Sequence, residues 1–251
     1  MTVLRRLAAF ATLLAGAAAL ATAADATVEK TTVVSRGKER TVFVFAPSSV
    51  SPEHPAPLVV AFHGSGGSGK TMVEKWKPVA EKEGILVAAP DSTDAVHWAS
   101  PQDGPQLLED VVKAMAERHP VDPRRVYLFG HSAGAVFALQ MASLESEYFA
   151  AAAVHAGAVD PKYFGIFDYA ARKIPIAIWI GTKDQFFPLD SVRATADALK
   201  TRGFPVTLTE IPGHTHDYLH DEPDLNLAIW DFLAAQKLPE QPRFRRYADP
   251  K

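Results

Sequence analysis

A short apolar run that ends in a turn rich in small residues constrains the fold of this chain more than any other feature. Residues 125–129 are rich in β-branched and aromatic side chains, and they lead into Gly-His-Ser-Ala-Gly at residues 130–134. A serine at the sharp turn from a strand to a helix takes strained backbone angles, and glycines two residues to either side relieve the crowding. The pattern predicts that Ser132 is an accessible nucleophile. It also predicts that the amide of Ala133, at the start of the next helix, can hold a developing oxyanion.

Strands and helices alternate along the rest of the chain, and most of the strands are continuous apolar runs, which is typical of a parallel sheet buried on both faces. The predicted strands cover residues 31–34, 41–45, 58–62, 85–89, 125–129, 151–154, 176–180 and 206–211. Helices are predicted at residues 71–83 with a kink at Pro78, around 108–115, and at 135–144, 191–202 and 226–238, with a loop over 155–173. We therefore expect one α/β domain: a doubly wound, mostly parallel eight-stranded sheet with helices on both faces.

The first 23 residues differ in kind from the remainder. Arg5 and Arg6 precede an apolar, uncharged stretch at residues 7–20, and Ala-Thr-Ala at residues 21–23 fits the small-x-small cleavage rule. We predict a secretory signal peptide over residues 1–23, cleaved near Ala23, and a secreted or periplasmic bacterial protein without a stable membrane anchor after cleavage. The net charge of −3 gives no bulk attraction to nucleic acid, and the absence of cysteine excludes a disulfide or a thiol nucleophile.

Two further polar segments follow the ends of predicted strands. Asp184 follows the strand at residues 176–180, and two histidines follow the strand at residues 206–211. Ligands of such sheets bind beyond the carboxyl ends of the strands, and the chain order serine, aspartate, histidine is that of an α/β-hydrolase. In this interpretation the histidine takes the proton of Ser132 during attack on a carbonyl carbon, and Asp184 holds the imidazole in the required tautomer. That chemistry needs no cofactor.

The sequence leaves two histidines as candidates for the base. The loop must carry the imidazole several residues beyond the strand to reach Ser132, which favours His216, with His214 as the alternative. A metal site built from these two histidines with Asp217 and His220 is a further alternative, since alternate histidines can share a cation. We expect no metal, because no other ligand cluster is apparent in the sequence.

The glycine-rich loop after the third predicted strand fits two interpretations. From Gly64 to Thr71 it matches G-x-x-x-x-G-K-T, a loop that cradles phosphates in nucleotide-binding proteins, with Lys70 as the phosphate ligand. In the hydrolase interpretation, the same loop supplies the second amide of an oxyanion hole, most simply that of Ser65. We favour the second, because an exported protein meets little ATP and no Mg²⁺-binding carboxylate is apparent.

Other residues are candidates for the walls of a substrate pocket. Trp98 and Phe186 lie in loops expected on the same side of the sheet as Ser132. His131 occupies a variable position of the serine turn and is interpreted as a packing residue.

Several segments together resemble a known group of enzymes. They are His63-Gly64, the run Asp-Pro-Arg-Arg-Val-Tyr-Leu-Phe that leads from residue 122 into the serine turn, residues 149–157, and Gly-Thr-Lys-Asp at residues 181–184. They look like secreted bacterial esterases of the polyhydroxybutyrate depolymerase and feruloyl or acetylxylan esterase type, and the likeness covers most of residues 24–251.

The resemblance implies a single α/β-hydrolase catalytic domain over residues 24–251. It would hydrolyse short-chain, phenolic or hydroxyalkanoate esters, small or polymer-borne, through Ser132, Asp184 and His216. The chain departs from the group in having no disulfides and in having His-Thr before His216 where a run of glycines is more usual. A non-catalytic binding protein on the same scaffold is the alternative, and the oligomeric state is left open.

Overall fold

The computed structural model describes residues 27–218 and 224–245, so the predicted signal peptide at residues 1–23 lies outside the described residues. Eight strands and five α-helices follow one another within these described residues. The strands are β1 (Glu29–Ser35), β2 (Lys38–Phe45), β3 (Ala56–Phe62), β4 (Leu86–Pro90), β5 (Val121–His131), β6 (Ala151–His155), β7 (Ile176–Gly181) and β8 (Val206–Ile211). The α-helices are α1 (Gly69–Glu83), α2 (Pro105–Arg118), α3 (Ala133–Leu144), α4 (Leu189–Thr201) and α5 (Leu225–Ala234).

The strands form one eight-stranded sheet in the order β1-β2-β4-β3-β5-β6-β7-β8. The pairs β1–β2 and β2–β4 are antiparallel, and every pair from β4–β3 to β7–β8 is parallel. The turn of the opening hairpin has Arg36 and Gly37 at φ 49° and 72°, the paired positive values that suit a two-residue hairpin turn. The predicted α/β fold with a mostly parallel eight-stranded sheet is therefore confirmed.

Helices cover both faces of this sheet. The apolar faces of α2, α3 and α4 pack in one core, and those of α1 and α5 pack in the other. Strand β5 contributes side chains to both cores: Val126 and Leu128 pack in the first, and Tyr127 and Phe129 pack in the second. Successive side chains of a strand point to opposite faces, so a continuous apolar run is what a sheet covered on both sides requires.

Three elements differ in detail from the prediction. Helix α1 begins at Gly69, where the side chain of Ser68 caps it, and it continues through Pro78 to Glu83. The predicted loop at residues 155–173 contains a 3₁₀ helix, Pro161–Tyr169. Helix α5 ends at Ala234 rather than at residue 238.

The early end of α5 has a tertiary cause. The amide of Leu238 donates to the carbonyl of Arg124, and the Arg124 side chain donates back to the carbonyl of Leu238. The hydroxyl of Tyr127 donates to the carbonyl of Gln236. These bonds attach residues 236–238 to the start of β5, and they replace the helical hydrogen bonds that the local sequence favours.

Candidate active site

Ser132 sits at a strained turn between β5 and α3. Its φ of 58° and ψ of −120° are unusual for a residue with a side chain. A Cβ placed on Gly130 would lie under 3.0 Å from the backbone of Gly134, and one placed on Gly134 would lie under 3.0 Å from the carbonyl of Phe62. The turn therefore admits only glycine at both positions. This crowding is the physical reason for the spacing seen in the sequence.

Ser132, His216 and Asp184 form a continuous line of hydrogen bonds. The Ser132 Oγ and His216 Nε2 atoms lie 2.9 Å apart, and His216 Nδ1 lies 2.8 Å from Oδ2 of Asp184. The other carboxylate oxygen, Oδ1, accepts from the amides of Phe186 and Phe187, both at 2.8 Å. The Asp184 side chain is fully buried and that of His216 is 13% exposed. A carboxylate fixed in this way holds the imidazole with Nδ1 protonated and Nε2 free to accept the serine proton.

The loops that carry Asp184 and His216 are packed against each other. The amide of Lys183 donates to the carbonyl of His214, and the amide of Gly213, at φ 78°, donates to the Thr182 hydroxyl. A Cβ on Gly181 would lie under 3.0 Å from the His214 carbonyl. The close backbone approach turns His214 into the interior, where it is 1% exposed, and brings His216 rather than His214 to Ser132.

The predicted oxyanion amides lie on either side of the serine. Ala133 is the first residue of α3, so its amide has no partner within the helix. Gly64 packs on the serine turn, since a Cβ there would lie 2.9 Å from the Cβ of Ser132. Ser65 follows directly, and its hydroxyl donates to the carbonyl of Val96, which pins the loop that carries its amide.

His63 fastens this loop to the one that follows β4. Its Nε2 accepts from the amide of Ser92 at 3.1 Å, so Nδ1 carries the proton and donates to the carbonyl of Gly64 at 2.8 Å. The His63 carbonyl accepts from the indole of Trp98 at 3.0 Å. One buried histidine thus orients both the loop beside Ser132 and an aromatic wall residue.

The loop that carries Trp98 is held by a buried ion pair. Asp103 is fully buried, lies 2.6 Å from the guanidinium of Arg40, and also accepts from the amides of Thr93 and Ala99. Arg40 further donates to the carbonyls of Asp91 and Gln102. Both carboxylate oxygens and both terminal guanidinium nitrogens are therefore hydrogen-bonded, which offsets the cost of removing two charges from water.

The glycine-rich loop does not have the arrangement expected of a phosphate-binding loop. The Lys70 side chain is 59% exposed and faces Glu74 on the outside of α1, 3.7 Å away. Lys70 is not among the residues that line the cavity beside Ser132. The side chain of Ser68 caps α1 by accepting from the amide of Thr71. The loop is therefore engaged with Ser132 and with its own helix.

A cavity of about 820 Å³ opens above Ser132. Trp98 stacks on Phe137, with ring centres 4.9 Å apart, and Phe186, 66% exposed, lies at the mouth with its ring 4.7 Å from that of His216. Both loop aromatics predicted to line a pocket are thus in its wall. The sequence analysis missed wall residues from two helices: Val136, Phe137 and Gln140 of α3, and Met72 and Lys75 of α1. Those of α3 could have been found, because positions 133, 136, 137 and 140 share the helix face that begins at the serine turn.

Behind the serine lies a chain of histidines that the sequence analysis did not anticipate. His131 Nδ1 is 2.9 Å from Nδ1 of His155, and His155 Nε2 is 3.0 Å from Nε2 of His214. Tyr218 stacks on His131 with ring centres 5.1 Å apart. Burial lowers the pKa of His131 to about 3 and that of His155 to about 2, and neighbouring positive charge adds to both shifts. These imidazoles are neutral at physiological pH, and His131, interpreted from the sequence as a packing residue, also lines the cavity.

The candidate metal site inferred from the sequence includes His214 and His216. His214 and His216 point apart, the first to His155 and the second to Ser132, and His220 lies outside the described residues. Within residues 27–218 and 224–245, no group of three or more histidine, aspartate or glutamate side chains is arranged to hold a metal ion.

Comparison with known proteins finds a hydrolase family, an esterase and a depolymerase that are similar to this chain. Residues 88–237 match the dienelactone hydrolase family. The chain is 29% identical over 153 residues to a bifunctional acetylxylan esterase/xylanase of Neocallimastix patriciarum, covering 59% of this chain and 22% of that protein. It is 33% identical over 115 residues to poly(3-hydroxyalkanoate) depolymerase C of Paucimonas lemoignei, covering 41% and 28%. The resemblance inferred from sequence motifs is confirmed, although the chain spans less than a third of the length of these two relatives.

Solved structures share the fold. An S-formylglutathione hydrolase from Agrobacterium tumefaciens superposes with a TM-score of 0.67 at 17% identity, over 82% of this chain and 94% of that one.

Proposed function

This chain belongs to the dienelactone hydrolase family, and on that premise we propose that it is a serine carboxylic-ester hydrolase that works through Ser132, His216 and Asp184. The observation that carries the proposal is the unbroken hydrogen-bond line from Ser132 through His216 to a fully buried Asp184, at the floor of an open cavity. This is the geometry required of a nucleophile, its base and the group that orients the base.

In the proposed reaction, Oγ of Ser132 attacks the ester carbonyl while its proton passes to Nε2 of His216. Asp184 stabilises the imidazolium that forms. The carbonyl oxygen becomes an oxyanion, and the amides of Ala133 and Ser65 donate to it. His216 then returns its proton to the alcohol oxygen as the bond to the acyl carbon breaks. Water, activated by the same histidine, releases the acid and restores the serine.

The proposed substrates carry short acyl groups, phenolic groups or hydroxyalkanoate units, and the aromatic lining of the cavity supports this. One wall is aromatic, since the rings of Trp98 and Phe137 stack face to face, with Phe186 at the mouth. Rings of this kind pack well against phenolic or alkyl groups. The acetylxylan esterase and the hydroxyalkanoate depolymerase among the relatives act, by their names, on acetylated and polyester substrates. We propose small or polymer-borne esters of these classes as substrates.

Export is a further part of the proposal. It rests on the arginines and the apolar stretch within residues 1–23. In the part of the chain that the structure describes, no helix combines the length and apolarity needed to span a membrane. Expression of the full chain in a bacterial host, fractionation and N-terminal sequencing test the proposal. A mature protein that begins near Ala24 in the periplasm or medium supports it, and an intact Met1 in the cytoplasm refutes it.

Labelling and turnover test the catalytic role. The purified protein is treated with a fluorophosphonate, the adduct is located by mass spectrometry, and hydrolysis of p-nitrophenyl acetate and butyrate is measured. We expect an adduct on Ser132, and a loss of kcat by at least 10⁴-fold in Ser132→Ala and His216→Ala, because triad members act as a unit. The exposed Lys70→Ala variant is the control and should retain wild-type activity.

Other outcomes would redirect the assignment. Loss of activity in Lys70→Ala with an active Ser132→Ala variant would favour the nucleotide-binding interpretation. A folded wild-type protein with no adduct and no turnover would favour a non-catalytic binding protein.

A further inference from the structure

The histidine chain behind Ser132 runs from the cavity wall into the interior of the protein. His131 belongs to the wall, while His155 is fully buried and His214 is 1% exposed. Strands β5 and β6 pair in a register that sets His131 opposite His155, and the loop after β8 brings His214 to the far side of His155. The three side chains are joined end to end by two nitrogen–nitrogen contacts of 2.9 and 3.0 Å.

Two contacts of this kind restrict where the protons lie. A neutral imidazole has one N–H and one lone pair, and each contact needs one donor and one acceptor. His155 uses both of its nitrogens, so it donates in one direction and accepts from the other. The whole chain therefore has only two arrangements, with all donors pointing from His131 to His214 or all pointing from His214 to His131.

The environment of His214 distinguishes the two arrangements. Its Nδ1 is enclosed and has no hydrogen-bond partner among residues 27–218 and 224–245. If the donors point towards His214, this nitrogen carries a proton that no described group accepts. If they point away, His214 donates from Nε2 and only a lone pair is left unused. Orphaned buried N–H groups are rarer than unused acceptors, so the second arrangement is favoured. The protons then lie on Nε2 of His214, Nδ1 of His155 and Nε2 of His131.

The surroundings of His131 leave Nε2 available. Nδ1 is occupied by His155, and no described residue hydrogen-bonds to Nε2, which is not among the enclosed unpartnered atoms of the described part of the chain. The ring lines the cavity, 5.0 Å from the ring of His216. A fixed N–H donor therefore faces the cavity close to the reacting serine.

A second donor lies on the same wall. Lys75 Nζ donates to the carbonyl of Tyr218 and lies 4.8 Å from the centre of the Tyr218 ring, which in turn stacks on His131. None of the described residues that line the cavity is an aspartate or glutamate. His131 and Lys75 thus offer hydrogen-bond donors to the cavity, whereas the stacked rings of Trp98 and Phe137 are an apolar part of its wall.

We propose that His131 donates from Nε2 to a second oxygen of the substrate, one that is not part of the scissile ester, and that His155 and His214 are positioning residues that hold the proton on that nitrogen. The inference rests on the proposed ester hydrolysis, and it narrows the substrate class. The preferred ester has an acyl chain with an ether, hydroxyl or second ester oxygen, rather than a plain alkyl chain.

Nitrogen-15 NMR of the wild-type protein tests the proton positions without any catalytic readout. Histidine signals are assigned with the single variants of residues 131, 155 and 214. We expect the one-bond N–H coupling at Nε2 of His131, Nδ1 of His155 and Nε2 of His214. The opposite set, with the proton on Nδ1 of His131, would overturn the proposal even if the protein proves to be an esterase.

A pair of matched substrates tests the donor itself. p-Nitrophenyl 3-methoxypropionate and p-nitrophenyl valerate have the same chain length and differ by one ether oxygen. Rates are divided by those of alkaline hydrolysis to remove intrinsic reactivity. We expect wild-type kcat/KM to favour the ether by about 3- to 10-fold, the value of one neutral hydrogen bond.

Paired variants separate donation from folding. Glutamine at 131 can place an N–H where Nε2 was, so His131→Gln should keep the preference, whereas His131→Asn, which replaces the other nitrogen, should reduce the ratio to about one. His214→Gln should likewise keep the preference and His214→Leu should lower it. The exposed His54→Gln variant is the control and should match the wild type.

An unchanged ratio in folded His131→Asn would refute the donor role. Failure of the proposed function would look different, since either the folded wild type would turn over neither substrate or Ser132→Ala would retain turnover on both.

Discussion

Replacement of His155 with glutamine should flatten the pH dependence of stability below neutral pH. Burial lowers the pKa of His131 to about 3 and that of His155 to about 2, whereas a histidine in an unfolded chain titrates near 6.5. Between these values the unfolded state binds a proton at each site and the folded state does not. Stability therefore rises with pH across this window and is lost as the pH falls below about 6.5.

The magnitude follows from the size of the window. Each histidine contributes a slope of up to about 1.4 kcal/mol per pH unit. At pH 5, about 1.5 units below the pKa of an unfolded histidine, each of the two histidines lowers the free energy of unfolding by about 2 kcal/mol. Together they remove about 4 kcal/mol from a free energy of unfolding that is typically about 5–15 kcal/mol. The half-buried His119, whose pKa is also lowered by desolvation, acts in the same direction in wild type and variant alike.

Urea denaturation at half-unit steps from pH 5.0 to 7.0 measures the slope, with m-values checked for two-state behaviour. Near pH 5, the free energy of unfolding of His155→Gln should change with pH less steeply than that of the wild type, by about 1.4 kcal/mol per pH unit. This difference does not depend on the stability of the variant at pH 7. Its remaining slope comes mainly from His131, whose pKa is lowered first by its own burial. The exposed His54→Gln variant should keep the wild-type slope. If the stability of His155→Gln fell as steeply with decreasing pH as that of the wild type, the imidazole of His155 would not be neutral in the folded protein.

Three further substitutions have defined expected outcomes. Asp184→Asn should lower kcat by about 10⁴-fold in steady-state assays, because the amide can donate to Nδ1 of His216 and favour the wrong tautomer; a loss below tenfold would contradict this. Gly134→Ala should cost more than about 4 kcal/mol and lower Tm by about 10 °C, since its Cβ would meet the Phe62 carbonyl; an unchanged melting curve would refute the steric argument. Asp103→Asn should cost about 3–5 kcal/mol in urea denaturation by leaving the Arg40 charge buried without its partner, and a loss under 1 kcal/mol would show that water reaches the site.

The sheet and the order of the site residues could be predicted because each depends on a local signal. The strand β7 is a continuous apolar run, and the residue that matters, Asp184, follows its end. Because parallel strands bring their carboxyl ends to one edge of the sheet, residues that follow different strands come close together there. The choice of His216 over His214 followed from the same counting, and in the structure Nε2 of His216 lies 2.9 Å from Oγ of Ser132.

The histidine chain could not be predicted because it depends on register and on contacts distant in sequence. His131 and His155 face each other only because β5 and β6 align residue by residue, and a slip of one position would send them to opposite faces. The end of α5 was placed wrongly for a similar reason. The sequence of residues 235–238 favours helix locally, but its hydrogen bonds to Arg124 and Tyr127 are long-range.

The crowding at Gly130, Gly134 and Gly181 excludes these positions from redesign, because a side chain there would clash with neighbouring backbone. The reactive turn is held by contacts between backbones, so even a single methyl group there disturbs the chemistry. By contrast, the side chains of Trp98, Val136, Gln140 and Phe186 in the cavity wall protrude from loops and from one face of α3. A mutant library directed at Trp98, Val136, Gln140 and Phe186 would therefore vary which ester is accepted while leaving the reaction centre intact.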